Sequence, residues 1–268
     1  MIDVTTDFDS TAVAFLALSL AVLAEGRFPF RAPNMLLKRW IHNGALALLS
    51  YSFSYFCVTA LALWGLAALE RAGIPPEWHG LIETNPFGIQ LFWTFLGIEF
   101  CRYGVHWLSH KIPLFWRFHC IHHADPEVDV TTAFRHHPFE ACIGVIPMTL
   151  FVFILGAPAT ALLIYRAFDL SVTIFSHMNI RLPEKMEHIL SKWIVTPKFH
   201  RTHHFRYQRF TDSNYGAISP WFDYLFKTFE RTSTAQDTDA ELGLGWRDHE
   251  SGNVLQLLLA PFKTDQAR

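Results

Sequence analysis

The sequence predicts an all-α protein: an integral membrane helical bundle of about four to five spans, including a helical hairpin, with a histidine-rich cap on the cytoplasmic side. Three observations predict this class. Of the 268 residues, 51% are hydrophobic and only 17% are charged, a balance that leans toward membrane proteins. Four apolar regions stand out, and no alternating β pattern of useful length accompanies them. Eight of the 15 histidines fall into three short boxes, and a ninth, His177, stands alone between the second and the third box.

The first two apolar regions are expected to anchor the N-terminal part of the chain. Residues 11–24 are few for a complete span. Acidic residues precede them where a cleaved signal peptide would carry basic ones, so we interpret this region as an anchor. Residues 44–69 are long enough to cross a bilayer with tilt.

The third and fourth apolar regions lead into histidine clusters. Residues 87–105 form an expected span that runs directly into the first cluster. Residues 141–175 are interrupted by Gly156, Ala157 and Pro158, which predicts a hairpin that enters the membrane and returns. The alternative for each region is a buried helix of a soluble protein, but four such regions in one chain of this size favour membrane spans.

Charges in the connections predict the orientation of the bundle. The connection after the first region is basic, whereas the connection after the second carries Glu70, Glu77 and Glu83 against Arg71 alone. Because positive charge accumulates on the cytoplasmic side, the first connection is expected there, and all nine clustered histidines follow it to the same face. The basic residues of the first connection are Arg27, Arg31, Lys38 and Arg39.

The histidines are the strongest chemical signal in the chain. They follow the pattern H-x-x-x-H once and the pattern H-x-x-H-H twice, and one further histidine stands apart from these patterns. Residues three or four apart share a helix face, and neutral imidazole is the commonest nitrogen ligand of iron, zinc and copper. Unrelated core histidines are the alternative, which the repeated pattern disfavours. The candidate ligands are His106, His110, His119, His122, His123, His177, His200, His203 and His204.

The number and type of these residues narrow the metal site. Nine imidazoles are about twice what one ion can use, whereas two ions with four or five ligands each would account for them and leave positions for oxygen or substrate. The four cysteines form no C-x-x-C pair, which disfavours zinc ribbons and disulfide frameworks. The H-E-x-x-H motif of metallopeptidases is absent, as are the E-x-x-H pairs of carboxylate di-iron bundles. We therefore predict a histidine-rich two-metal centre.

Charged residues of the third region share a helical stripe with the first histidine box. Glu99, Arg102, His106 and His110 are spaced three and four apart. Glu99 is predicted either to orient a ligand imidazole or to pair with Arg102, and the sequence leaves both roles open. His136 is expected to be a neighbour of the site rather than a ligand.

Two stretches resemble the fatty acid hydroxylase and sterol desaturase superfamily. The first, residues 103–140, reads YGVHWLSHKIPLFWRFHCIHHADPEVDVTTAFRHHPFE, and the second comprises the motifs FHRTHH, NYG and WFDYLFKTF within residues 199–229. The resemblance covers roughly residues 87–229. Its departures are small: Trp107 and Gly104 stand where many members carry Arg and Trp.

The resemblance implies an integral membrane non-haem di-iron oxygenase that uses dioxygen and external electrons to hydroxylate or desaturate a lipid, such as a fatty acyl chain or a sterol. It implies two iron ions, which zinc can replace on purification, with the nine histidines above as ligands. It also makes His137, at a recurrent family position, a candidate tenth ligand or supporting residue, and Asn179 a similar candidate.

The chain has no spare length for a fused cytochrome domain, so electrons are expected from a separate ferredoxin, cytochrome or reductase. The net charge of −2, without a basic run, excludes a nucleic-acid role. Hydroxylation is favoured over desaturation because desaturation needs a second, ordered hydrogen abstraction. Metal transport or storage without redox turnover, and a hydrolase or isomerase on a similar metal site, stay open as alternatives.

We expect three parts along the chain: N-terminal membrane-anchor helices in residues 1–86, a catalytic domain in residues 87–230, and a C-terminal tail in residues 231–268. Within the tail, residues 254–262 are apolar. They are expected to lie as a short amphipathic segment against the membrane or the cap.

Overall fold

The computed structural model describes residues 4–33, 36–71, 73, 81–82, 84–245 and 253–263. Within these ranges every regular element is helical, apart from an isolated antiparallel bridge between Phe205 and Leu242. The predicted all-α class is confirmed. In chain order the α-helices are α1 (Val4–Arg27), α2 (Leu36–Arg71), α3 (Phe87–Lys111), α4 (Pro113–His123), α5 (Pro138–Leu155), α6 (Ala159–His177), α7 (Glu184–Leu190), α8 (Pro197–His203), α9 (Gln208–Thr211), α10 (Trp221–Phe226), α11 (Thr234–Asp239) and α12 (Val254–Leu259).

Among the described residues, three helices are long and apolar enough to cross a membrane: α2 over Leu37–Gly65, and the whole of α5 and α6. The α5 helix has a mean hydropathy of 2.0 and no buried residue, a pattern typical of a helix whose apolar side chains face lipid. Helix α3 runs through the predicted third region, but Glu99 and Arg102 lower its hydropathy and it is not among the three. The predicted number of four to five spans stays a prediction.

The predicted hairpin is confirmed at the expected break. Helix α5 ends at Gly156, whose φ of 65° lies in the left-handed region that glycine adopts without strain. Pro158 then precedes the first residue of α6. The backbone N–H of Ile82 donates to the carbonyl of Leu155 at 2.9 Å, so the connection between α2 and α3 meets the tip of the hairpin. Glu77 and Glu83 of that connection lie outside the described residues.

Four helices bring the histidines together. The chain turns sharply after α3, where Pro113 occupies the first turn of α4 and needs no N–H partner there. Helix α4 packs against α3, and α6 packs against both α3 and α8. Because each of these four helices carries candidate ligands, their packing forms the site.

The C-terminal tail packs against the cap. Leu257 of α12 and Ala260, which follows it, are fully buried against Trp116 of α4 and Leu46 of α2. The apolar segment predicted at residues 254–262 therefore packs on α2 and α4. Packing against the cap is one of the two positions expected for it.

A buried ion network joins α2 to the segment that follows α4. The Arg39 guanidinium forms two 2.9 Å hydrogen bonds to Asp125 and one to Asp129, and all three side chains are buried. Asn43, one turn further along α2, also donates to Asp125, at 3.2 Å. The basic first connection therefore lies on the same side of the bundle as the histidines, as the predicted threading requires.

Replacing Arg39 by methionine is expected to lower the free energy of unfolding by about 3–5 kcal/mol, because Asp125 and Asp129 then stay buried without the guanidinium that forms hydrogen bonds to both. Thermal unfolding in detergent micelles measures this loss. Lys38→Met is the matched control, since the neighbouring Lys38 is exposed and its loss should cost under about 0.5 kcal/mol. Equal melting temperatures for the two variants would show that the network contributes nothing.

Candidate metal centre

The nine histidines predicted as ligands lie together in two adjoining clusters. In each cluster one nitrogen of every ring lies within 4.8 Å of the corresponding nitrogens of the others. Eight of the nine rings are buried, and His106 is half-buried. The first cluster, of five, contains His106, His110, His119, His123 and His203, and the second, of four, contains His122, His177, His200 and His204.

Each H-x-x-H-H box contributes to both clusters in the same way. In α4, His119 and His123 belong to the first cluster and His122 to the second; at α8 the pair His200 and His204 belongs to the second and His203 to the first. Successive residues of an α-helix are rotated by about 100° about its axis. The third and the fourth residue after the first histidine of a box therefore point about 100° apart. The 3+1 spacing therefore lets each box contribute rings to both clusters.

In the first cluster, two histidines use one ring nitrogen for a hydrogen bond to the backbone. The other nitrogen of each ring then faces the inside of the cluster. His106 donates from Nδ1 to the Tyr215 carbonyl at 2.8 Å, and His203 donates from Nδ1 to the Ser213 carbonyl at 2.6 Å. The Nε2 atom of each of these two rings is buried and has no hydrogen-bond partner among the described residues. An imidazole oriented by a backbone carbonyl, with its second nitrogen buried and unmatched, fits a metal ligand.

In the second cluster the Nε2 atoms converge. His177 donates from Nδ1 to the Thr173 carbonyl at 2.8 Å, which directs its Nε2 into the cluster. Two nitrogens bound at right angles to one ion, each at about 2.1 Å, lie about 3 Å apart, so the spacing observed here fits a shared ion. The Nε2 atoms of His177 and His200 are 2.9 Å apart, those of His200 and His204 3.1 Å, and those of His177 and His122 3.4 Å.

Burial holds these imidazoles in their neutral form. Burial and, after it, the neighbouring rings lower the pKa of His203 to about 3. The same two causes lower the pKa of four further histidines of the clusters well below the ordinary histidine value. A neutral ring is the form that binds a metal ion, so the donor set fits a transition metal. These other residues are His122, His123, His200 and His204.

A carboxylate that the sequence analysis did not single out orients one ligand. Glu140, in the first turn of α5, accepts hydrogen bonds from Nδ1 of His119 at 2.7 Å and from Nδ1 of His136 at 3.1 Å. The His136 ring in turn stacks on His122, with centroids 4.7 Å apart, in the neighbouring position expected of it. The sequence signal for Glu140 is its i+4 spacing from His136 across the start of α5.

Replacing Glu140 by glutamine is expected to lower metal affinity by about 10- to 100-fold, because a neutral amide holds the His119 ring less firmly and leaves it a weaker base. Metal content after dialysis against graded chelator concentrations measures this change. Glu184→Gln on α7 is the control, since its side chain is 59% exposed and lies outside both clusters. If the two variants retained metal equally, Glu140 would have no role in supporting the ligands.

The hydrogen bonds that Glu99 makes in the structure lie outside the histidine clusters. Its carboxylate accepts hydrogen bonds from the Tyr165 hydroxyl and from the backbone N–H groups of Ile218 and Ser219, at 2.8 to 3.0 Å. Arg102 forms its ion pair with Asp169 instead. Glu99 therefore holds the loop after Tyr215 rather than a ligand ring.

Two further candidates lie outside the clusters. His137 caps the N-terminus of α5: its Nδ1 accepts from the backbone N–H of Phe139, and its Nε2 donates to the Leu258 carbonyl of α12. The Asn179 side chain donates to the Arg31 carbonyl at 2.7 Å and accepts from the Arg31 N–H. Both side chains are thus engaged in holding backbone segments together, and neither joins the site in this arrangement.

A cavity of about 320 Å³ adjoins both clusters. At one end it is lined by rings of the two clusters, among them His106 and His177. Apolar residues of α5, including Val145 and Met148, form one wall, and Tyr51 of α2 lies on another. A mainly apolar cavity that ends at buried imidazoles is suited to a ligand with a hydrocarbon chain.

The sequence matches the fatty acid hydroxylase family over residues 91–228, just over half of the chain. It is 28% identical to an ornithine lipid hydroxylase of Rhizobium tropici over 179 residues, and 30% identical to the human (Homo sapiens) alkylglycerol monooxygenase over 146 residues. It is also 28% identical over 184 residues to a very-long-chain aldehyde decarbonylase of Oryza sativa.

These matches cover only part of this chain and only part of each relative. They cover 65%, 52% and 63% of this chain, and 52%, 31% and 27% of the respective relatives. The chain therefore corresponds to between about a quarter and a half of each relative. No solved structure matches the chain.

Proposed function

Because this chain belongs to the fatty acid hydroxylase family, we propose that it is an integral, multi-pass membrane oxygenase whose non-haem di-iron centre hydroxylates or desaturates a lipid. The observation that carries the proposal is the pair of adjoining imidazole clusters at the end of an apolar cavity. Metal transport or storage lacks comparable support, since the named relatives are enzymes.

One iron would be held by the five-histidine cluster and the other by the four-histidine cluster. When bound, the two ions supply the oxidation of an unactivated C–H bond by dioxygen, which no side chain can perform. Zinc can occupy the same nitrogens in a heterologous host, because it lies above Fe²⁺ in the usual order of affinity.

The chain contributes the orientation of the rings and an apolar cavity beside them. The carbonyls of Thr173, Ser213 and Tyr215 hold Nδ1–H groups of the rings, so the opposite nitrogens point inward. The apolar residues of α5 line the cavity and leave room for an alkyl chain beside the clusters. A substrate held there is presented to the metal site by its carbon chain.

We further propose that the site faces the cytoplasm and receives electrons from a separate ferredoxin, cytochrome or reductase. The basic first connection, placed beside the cap by Arg39, supports that orientation. Residues 87–230 would act as the catalytic domain, with residues 1–86 as anchor helices and residues 231–268 as a tail. Two of the named relatives are a hydroxylase and a monooxygenase, which supports hydroxylation over desaturation.

Incubation with ¹⁸O-labelled dioxygen, iron, a reducing system and membrane lipids tests this function. We expect mass spectrometry to find one labelled oxygen atom in a lipid product. A product lighter by two hydrogens and without label would establish desaturation instead. Absence of oxygen consumption with every lipid class would refute the oxygenase proposal.

A further inference from the structure

One charged side chain of the cavity has no role in the proposed metal site. Arg166 lies in the middle of α6 and lines the cavity together with Thr173, Ser176 and His177. Arg166, Thr173 and His177 are spaced seven and four apart, so these three lie along one side of the helix. Arg166 is exposed, and no hydrogen bond or ion pair links it to any residue in the described part of the chain.

The other charges around the cavity already have partners. Arg102 forms an ion pair with Asp169, and Glu99 accepts hydrogen bonds from Tyr165 and two backbone N–H groups. Glu140 accepts from two imidazoles at the metal end of the cavity. Among the described residues, Arg166 is therefore the charged side chain of the cavity lining that has neither a hydrogen-bond nor an ion-pair partner.

An unpaired arginine within a candidate span is costly unless it meets water or an anion. The guanidinium presents a planar set of N–H donors that matches the two oxygens of a carboxylate or phosphate. We propose that Arg166 binds the anionic group of a lipid substrate, a carboxylate or a phosphate ester, inside the cavity. This inference rests on the proposed oxygenase function, because it names the class of lipid that the same cavity takes.

The position of Arg166 also orients that substrate. It lies three helical turns from His177, which is about 16 Å along the axis of α6. Helical side chains lean toward the N-terminus, so the guanidinium points further away from the clusters. The anionic group would thus lie at the far end of the cavity, with the alkyl chain extending along α5 toward the histidines. Oxidation is then expected on the chain, remote from the charged group.

Equilibrium binding of three ligands with one alkyl chain tests the proposal: hexadecanoic acid, hexadecyl phosphate and hexadecanol. The full-length, iron-loaded protein in nanodiscs is used without reductant, so that binding is measured without turnover. We expect the wild type to bind at least one of the two anions about 10- to 100-fold more tightly than the alcohol. Whether the carboxylate or the phosphate is preferred identifies the source of the anionic group.

Arg166→Gln should abolish that preference and leave the affinity for hexadecanol unchanged, whereas Arg166→Lys should retain part of it. Arg209→Gln is the matched control, since its side chain is 73% exposed and pairs with Glu230 outside the cavity. The absence of an anion preference in the wild type, or its persistence in Arg166→Gln, would overturn the proposal. If the preference is lost as expected but no lipid is ever oxidised, the anion site stands and the proposed reaction falls.

Discussion

Alanine at His200 or at His203 is expected to lower lipid oxidation by at least about 100-fold, more than the loss typical of a residue that only supports a ligand. The two histidines lie on the same short helix, α8, and both are buried, but they belong to different clusters. Each variant should therefore lose the ion of its own cluster first. Iron analysis and oxygen-consumption assays on the same preparations measure both effects.

The corresponding pair on α4 provides an independent repeat. His119→Ala should behave like His203→Ala, since both rings lie in the first cluster, and His122→Ala should behave like His200→Ala. His188→Ala is the control, because His188 is exposed on α7 and lies outside both clusters. Full iron content and turnover in any of the four cluster variants would remove that histidine from the ligand set.

The metal-free protein is expected to lose stability steeply as the pH falls below about 6.5. Burial lowers the folded-state pKa of His203 to about 3, and it lowers that of His122, His123, His200 and His204 well below the ordinary value. The unfolded chain therefore binds protons that the folded chain does not. Stability is fully present above the unfolded pKa and is lost as the pH falls toward the folded pKa, by about 1.4 kcal/mol per pH unit for each ring.

Melting temperatures of the chelator-treated protein between pH 7.5 and pH 4.5 measure this loss. His203→Gln should reduce the slope by about the contribution of one ring, and His188→Ala should leave it unchanged. Iron-loaded protein should show the same loss at lower pH, because the metal competes with protons for the ring nitrogens. A melting temperature independent of pH across this range would mean that the rings bind protons equally in the folded and in the unfolded chain.

Much of the helical organisation follows from local sequence patterns. The break at Gly156 and Pro158 predicts the hairpin, because glycine accepts the left-handed turn and proline restricts the residue before it. Residues 87–105 lie inside α3, which continues without interruption through His106 and His110. The bounds of α1 were harder to predict, because its polar N-terminal turns continue the helix beyond the apolar segment.

The supporting residues of the site were harder to predict than its histidines. Glu99 shares a stripe with the first histidine box, yet its carboxylate reaches the backbone of a distant loop. Glu140 lies beyond both boxes in sequence and reaches His119 only because α4 and α5 pack together. His137 and Asn179, which the family resemblance favoured, hold backbone segments instead. Contacts of this kind join residues that are far apart in the sequence, so no local periodicity predicts them.

The sequence by itself determined that this chain is helical, apolar and equipped with nine imidazoles in repeating boxes, because composition and helical spacing are local properties. Only the tertiary structure decided how those imidazoles divide into a group of five and a group of four. That division depends on the relative rotation of α3, α4, α6 and α8 about their axes, which packing between distant segments sets. The same packing places Arg166 in the lining of the cavity that also contains the paired Arg102, and no spacing along the chain predicts this arrangement.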